Sequence, residues 1–393
     1  MRSKAKRRFY STFILLFFAN LTFFSGHASL NMLPAFLKNS LGASSGYIGF
    51  FMNVNSIAMI LFVALFGVYS NKIDKKISLL IGFALFIASM AVMFFNPDNL
   101  WVLLAARFIS SPSYAFGFTM FTNIIFDILP KEKRSSGIAL FGISGIMSNP
   151  VGAFFGEKVV GIFQYKYLFI MGAFFMFIAL VCVLIFKEKE HYHKDKISLT
   201  FWKVLSDKRI LPYALTAFIF GGVFGVFNSF IPIYTQEIVG SPNLSFFFIP
   251  FAIAAIISRI FLTDFLDYFP KRNIIQIGFS FALISLILIL FLKTNEFLII
   301  IGIFYGFGHS LMFPTFSSAY VNMGRGEEMI IRSNTYIALN TFGTIAISSL
   351  FGLIGDIFGT RYIFISTVIS VAAAVFICYS MPKKEDVVIM EES

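Results

Sequence analysis

Residues 67–76 read GVYSNKIDKK and residues 263–272 read TDFLDYFPKR, two polar stretches that each follow a long apolar run and lie about 196 residues apart. Both end in a basic pair, Lys75-Lys76 in the first and Lys271-Arg272 in the second. A second match lies further along. Arg134-Ser135 and Arg332-Ser333 open apolar runs, Gly156-Glu157 and Gly355-Asp356 close them, and Tyr167-Leu168-Phe169 and Tyr362-Ile363-Phe364 follow. Two coincidences at nearly one spacing are the signature of an internal duplication.

Outward from these stretches the chain is almost continuously apolar. Of its 393 residues 58% are hydrophobic and 13% charged, with a mean hydropathy of +0.83, where a soluble domain is near half apolar and a quarter charged. Crossing roughly 30 Å of hydrocarbon takes about 20 residues. The runs predict twelve such spans, at 10–34, 46–69, 77–95, 99–126, 137–160, 166–186, 211–235, 243–265, 273–292, 297–320, 334–355 and 361–381. The expected fold is an all-α membrane protein whose twelve transmembrane helices form two pseudo-symmetric six-helix bundles. The first bundle covers 1–186 and the second 211–381, with a cytoplasmic linker at 187–210 (KEKEHYHKDKISLTFWKVLSDKR over 187–209) and a cytoplasmic tail at 382–393.

The net charge of +11 sits in the breaks between spans and forms no patch on a soluble surface, which argues against nucleic acid as a partner. With the N-terminus inside, 24 of the 31 Lys and Arg fall in cytoplasmic stretches, five in outer loops and two within helices, as the positive-inside bias requires. The first run follows MRSKAKRR without a small-residue cleavage site and reads as a retained helix. The expectation is a multi-pass protein of the cell (inner or plasma) membrane with both termini cytoplasmic. Cys182 and Cys378 lie in apolar segments with no metal-ligand spacing and read as packing residues.

Over essentially its whole length the sequence resembles the major facilitator superfamily. That family's signature after the second helix runs Gly-x-Leu-x-Asp-Arg-x-Gly-Arg-Arg. Gly67, Asn71, Asp74, Lys75 and Lys76 match it in part, with Asn71 where the acidic residue is expected. The copy after the eighth helix keeps Asp267, Lys271 and Arg272 but has Thr263 and Pro270 in place of glycines. In the fourth span LLAARFISSPSYAFGF (103–118) resembles a motif in which an arginine, here Arg107, precedes a glycine-rich stretch. In the fifth, GISGIMSNPVGAFFG (142–156) is similar in kind to the Gly-Pro-rich stretch of exporters, through Gly145, Pro150, Gly152 and Gly156. The resemblance implies a secondary transporter of the efflux-like branch, with a midplane substrate site between related halves. It also implies a conformational latch built from the loop residues together with Arg134 and Arg332.

A charged side chain inside a bilayer is costly and marks function by default. Arg107 and Arg259 are the two intramembrane cations, and no carboxylate lies clearly at the centre of a span. His27 and His309 are the intramembrane groups able to exchange a proton near neutral pH. Asn31, Tyr114, Asn149, Asn228, Tyr305 and Asn340 are polar or aromatic residues from six helices that the resemblance places at the central cavity or beside it. These ten residues are the candidate substrate cavity. The 55 phenylalanines are too many to serve as a binding code.

The function expected is proton-coupled export of a small organic solute by alternating access, in a monomer whose partners are that solute, the coupling proton and the lipid bilayer. An importer or facilitator on the same fold is the alternative, and a receptor or scaffold without transport a remote one. No nucleophile constellation, metal cluster or phosphate-cradling loop followed by Lys-Ser or Lys-Thr occurs. Neither enzymatic activity nor a cofactor is therefore expected.

Overall fold

The computed structural model describes residues 2–66, 74–129, 134–186, 204, 206, 207, 209–241, 243–266, 269–323 and 328–381. The first half holds α1 (Arg2–Ala28), a 3-10 turn at Ser29–Met32, α2 (Leu33–Asn39), α3 (Ser45–Phe66), α4 (Lys75–Phe95), α5 (Leu100–Ile128), α6 (Arg134–Ile162) and α7 (Tyr167–Ile185). The second holds α8 (Leu211–Val239), α9 (Ser245–Leu266), α10 (Lys271–Ile289), α11 (Phe297–Asn322), α12 (Glu328–Phe358) and α13 (Thr360–Ile377). Among the described residues eight spans are long and apolar enough to cross a membrane, the first running Phe9–Asn39 through α1 and α2. The remaining four expected spans coincide with α3, α5, α6 and α9, of 22, 29, 29 and 22 residues.

Helices suit this sequence because a chain in hydrocarbon must satisfy every backbone N–H and C=O within itself. Polar side chains cap the ends: Asn99 accepts from the N–H groups of Trp101 (3.0 Å) and Val102 (3.2 Å) at the start of α5. Gly240 ends α8 in the left-handed conformation, φ 81°, which a side chain would strain. Large apolar side chains point outward, among them Phe95, Trp101, Phe261 and Phe376 at 73–78% exposure. Such an outer surface is a lipid face.

The chain divides into two packing units, Met1–Leu41 with Val54–Asp195, and Gly42–Asn53 with Lys196–Ser393. In the first, α1 packs on α6 and α7 while α4 packs on α5 and α7. In the second, α8 packs on α12 and α13 while α10 packs on α11 and α13. Shifting by six spans converts the first set of pairings into the second, so the duplication read from the loops is also a duplication of packing. The aromatic core repeats as well. Phe23 and Phe83 stack at 5.5 Å beside Phe121, and Phe220, Phe279 and Phe316 hold the same places about 196 residues on.

Glycines set how closely helices approach. A Cβ on Gly302 or Gly306 of α11 would collide with the carbonyl of Phe247 or Phe251 in α9, which is how small residues let membrane helices meet backbone to backbone. Within the second unit, the start of α3 lies against α12 at Gly46, Gly49 and Gly352. There the Asp356 carboxylate accepts the N–H of Gly46 at 2.8 Å and that of Ser45, satisfying donors that a helix start leaves open.

Candidate functional site

The first unit gathers polar side chains on one seam. On α5, Arg107, Ser111 and Tyr114 recur at helical spacing and so share a face. Arg107 is 4% exposed. Its carbonyl accepts hydrogen bonds from Ser110 (2.7 Å) and Ser111 (3.0 Å), and the Ser111 hydroxyl also lies 3.0 Å from Asn55 Oδ1. His27 is buried against Phe86 at 4.6 Å and Tyr114 at 5.1 Å, with the Ser113 hydroxyl 3.4 Å from its Nε2. Its Nδ1 has no hydrogen-bond partner among the described residues. Arg107 lies within electrostatic reach of both His27 and Tyr114. Between α1 and α6, Asn20 donates to Ser144 at 2.7 Å; between the Ser29–Met32 turn and α6, Asn31 donates to Asn149 at 3.3 Å.

The second unit builds the matching seam from rings. His309 on α11 is partly exposed and meets Phe220 at 5.2 Å, Phe224 and Phe251 at 5.5 Å, Tyr305 at 5.9 Å and Phe313 at 6.2 Å. Tyr305 is 1% exposed, and its hydroxyl has no hydrogen-bond partner among the described residues. Asn228 donates to the Phe224 carbonyl at 2.9 Å, and Asn340 lies 3.5 Å from the Ala217 carbonyl where α12 crosses α8.

The two seams are related by exchange. Tyr114 stacks on Phe118 at 6.5 Å in the first half, and His309 stacks on Phe313 at 6.2 Å in the same place of the repeat. The partner of Tyr114 is His27, whereas the repeat-equivalent partner of His309 is Phe224. Each half thus sets one imidazole against one arene, contributed by opposite helices.

Several of the described loop residues make contacts within their own unit. Asp74 caps α4 by accepting the N–H of Ile77 at 2.8 Å. Lys75 pairs with Asp127 at 2.5 Å, tying α4 to α5. Lys76 donates to the carbonyls of Leu184 (2.9 Å) and Phe186 (2.5 Å) at the end of α7. Its repeat partner Arg272 reaches the Tyr379 carbonyl at 3.4 Å, just past the end of α13. Lys271 opens α10. Arg332 pairs with Asp207 at 3.4 Å, and Asp207 is also gripped by Arg209 at 2.9 Å. The hydrogen bond from Arg209, helped by the charge of Arg332, holds the Asp207 carboxyl below its usual range. Gly67, Asn71 and Asp267, most of the 187–210 linker and the 382–393 tail lie outside the described residues, as does the side chain of Arg134.

Sequence reasoning named the ionisable and amide groups and the rings of Tyr114 and Tyr305, but not the phenylalanines beside them. Phe24, Phe118, Phe224 and Phe313 are partly exposed and adjoin Tyr114 or His309. The signal available was spacing, because Phe118 and Phe313 each follow the key aromatic or imidazole by four residues.

Comparison with known proteins follows the same lines. Residues 13–329 match the family model described as Major Facilitator Superfamily. The chain is 25% identical over 382 residues to the staphylopine export protein of Staphylococcus aureus (strain Mu50 / ATCC 700699), covering 90% of this chain and 91% of that protein. It is 24% identical over 380 residues to the quinolone resistance protein NorA of Staphylococcus aureus (strain COL), covering 93% and 95%. Among solved structures, the nucleoside transporter NupG superposes with a TM-score of 0.81 at 13% identity, covering 94% of this chain and 98% of that one. At that identity the likeness speaks for the fold.

Proposed function

The chain belongs to the Major Facilitator Superfamily, and from that premise we propose that this multi-pass membrane transporter exports a small organic solute in exchange for protons by alternating access. The names of the similar exporter and resistance protein support the outward direction. The observation that carries the coupling is the environment of His27. A buried imidazole with one nitrogen beside Ser113 and the other without a partner is a place for a proton in a half otherwise organised by hydrogen bonds. The ring-lined half then receives the solute, with Asn228, Arg259, Tyr305, His309 and Asn340 as its candidate contacts.

The test is reconstitution. Solutes that raise the melting temperature of the purified protein are loaded into proteoliposomes carrying a pH-sensitive dye. Solute efflux should move protons the other way, and His27→Phe should let solute pass without them. Solute movement that leaves the wild-type proton balance unchanged would make the protein a facilitator.

A further inference from the structure

A serine inside a helix commonly turns its hydroxyl back onto the preceding turn, as Ser110 and Ser111 do on the Arg107 carbonyl. Ser113, on the same helix, is fully buried and directs its hydroxyl sideways, to 3.4 Å from His27 Nε2 on α1 and 4.0 Å from Met176 Sδ on α7. The place is tight. A Cβ on Gly82 of α4 would come 2.9 Å from the Ser113 Cα, so this hydroxyl sits where two helices meet backbone to backbone. Edge contacts from Phe86 at 4.6 Å and from Phe23 and Tyr114 at 5.1 Å fix the plane of the imidazole.

The second unit lacks the whole arrangement. About 195 residues on, the repeat sets Phe224 at the place of His27, Gly308 at that of Ser113 and Val371 at that of Met176. Gly308 crosses Gly278 as Ser113 crosses Gly82: a Cβ on Gly308 would meet the Gly278 carbonyl at 2.6 Å. Imidazole, hydroxyl and sulfur are thus absent together from the same packing, and the fold itself requires none of them.

The single proton of the Ser113 hydroxyl decides what His27 can do. Given to Nε2, it would force the ring's own proton onto Nδ1, a buried position with no acceptor among the described residues, and a buried donor without a partner is costly. Given to the Met176 sulfur, a weak acceptor, it leaves the Ser113 oxygen to accept from Nε2–H. Two bonds then form where the other arrangement makes one. The open position is the Nδ1 lone pair, and a proton arriving there makes an imidazolium whose Nε2–H bond to Ser113 is already in place.

We infer that Ser113, oriented by Met176, is a positioning residue that holds neutral His27 with its proton on Nε2. Nδ1 is then the atom that takes up the coupling proton from water on one side of the membrane and releases it to water on the other. This deepens the exchange reading above and rests on it for the use of the proton, while the tautomer is measurable by itself.

The experiment is NMR of the full chain carrying isotope-labelled histidine, reconstituted in lipid at about pH 9, above the ordinary imidazole pKa. Signals lost in His27→Phe belong to His27, and they should show the proton on Nε2. Met176→Leu conserves volume and removes only the sulfur, so the hydroxyl should turn to Nε2 and the ring proton should move to Nδ1. Ser113→Ala should leave both tautomers populated. In the proteoliposome assay above, both variants should lower the number of protons moved per solute, with melting temperatures near wild type. A wild-type proton on Nδ1, a tautomer unmoved in both variants, or an unchanged proton count in both would overturn the inference. A proton on Nε2 in a protein whose solute movement leaves the proton balance unchanged would refute the exchange reading and leave the positioning standing; proton exchange with the His27 proton on Nδ1 would do the reverse.

Discussion

Lys76 brings its ammonium to 2.5 Å from the carbonyl oxygen of Phe186, the residue that closes α7. Helix ends leave carbonyls without partners and carry partial negative charge, so a cation there is stabilising. Arg272 does the same at the end of the second bundle. Lys76→Met and Arg272→Met should each lower stability by about 0.5–1 kcal/mol, read as a lower melting temperature in detergent, with Lys76→Arg close to wild type. An unchanged melting temperature in both methionine variants would deny these cations a clamping role.

The glycines of the 142–156 stretch should not respond alike. A Cβ on Gly152 would sit 2.6 Å from the Cβ of Ala28, whereas one on Gly145 meets nothing nearer than 3.8 Å. Gly152→Ala should therefore destabilise by about 1–3 kcal/mol through forced separation of α1 and α6. Gly145→Ala should be neutral or stabilising by up to about 1 kcal/mol, because alanine is the better helix former. Melting curves of the two variants side by side decide this.

How much of this was readable beforehand depends on the kind of residue. Lys76 and Arg272 stood out because charge is scarce in this chain and falls at loops, so a 196-residue echo is visible against an apolar background. The spans followed from run length, and the expectation of two halves from the repeat and the charged central break. Phe224 and Phe313 did not stand out, since in a chain with 55 phenylalanines a ring packed against an imidazole has the same one-letter code as a ring facing lipid. Their place became apparent only once α8 and α11 were set side by side. The clasp of Asp356 on Ser45 and Gly46 was likewise hidden, because nothing local to either stretch reports a partner some 310 residues away.

The exchanged imidazole and arene give a matched pair of swaps. His27→Phe copies what the second half already has at Phe224, and His309→Tyr copies Tyr114, so each variant has a precedent for fit within the same fold. Both should fold, by monodisperse elution and a melting temperature near wild type. His27→Phe should abolish the coupling of transport to protons, read as solute flux that no longer responds to an imposed proton gradient. His309→Tyr should keep that coupling and raise the KM for solute. The opposite pattern would move the proton to the second half.

Asp207 carries a pH signature. Its carboxyl is held below its usual value by Arg209 and Arg332 in the folded protein, so its contribution is present above the unfolded-state pKa of about 3.9 and disappears as pH falls through the lower folded value. Asp207→Asn should reduce the melting temperature at pH 7. It should converge with wild type as the solution is acidified below about pH 4, and parallel curves across that range would show that the pairing does not stabilise the fold.

The contact of Asp356 with the first turn of α3 also bears on biosynthesis. The N–H groups of Ser45 and Gly46 emerge from the ribosome some 310 residues before the carboxylate that receives them. Until then only water or lipid headgroups can serve those donors. The second span therefore reaches its finished state after the eleventh has been made, and a nascent chain released before residue 356 carries a helix whose start is still open to solvent.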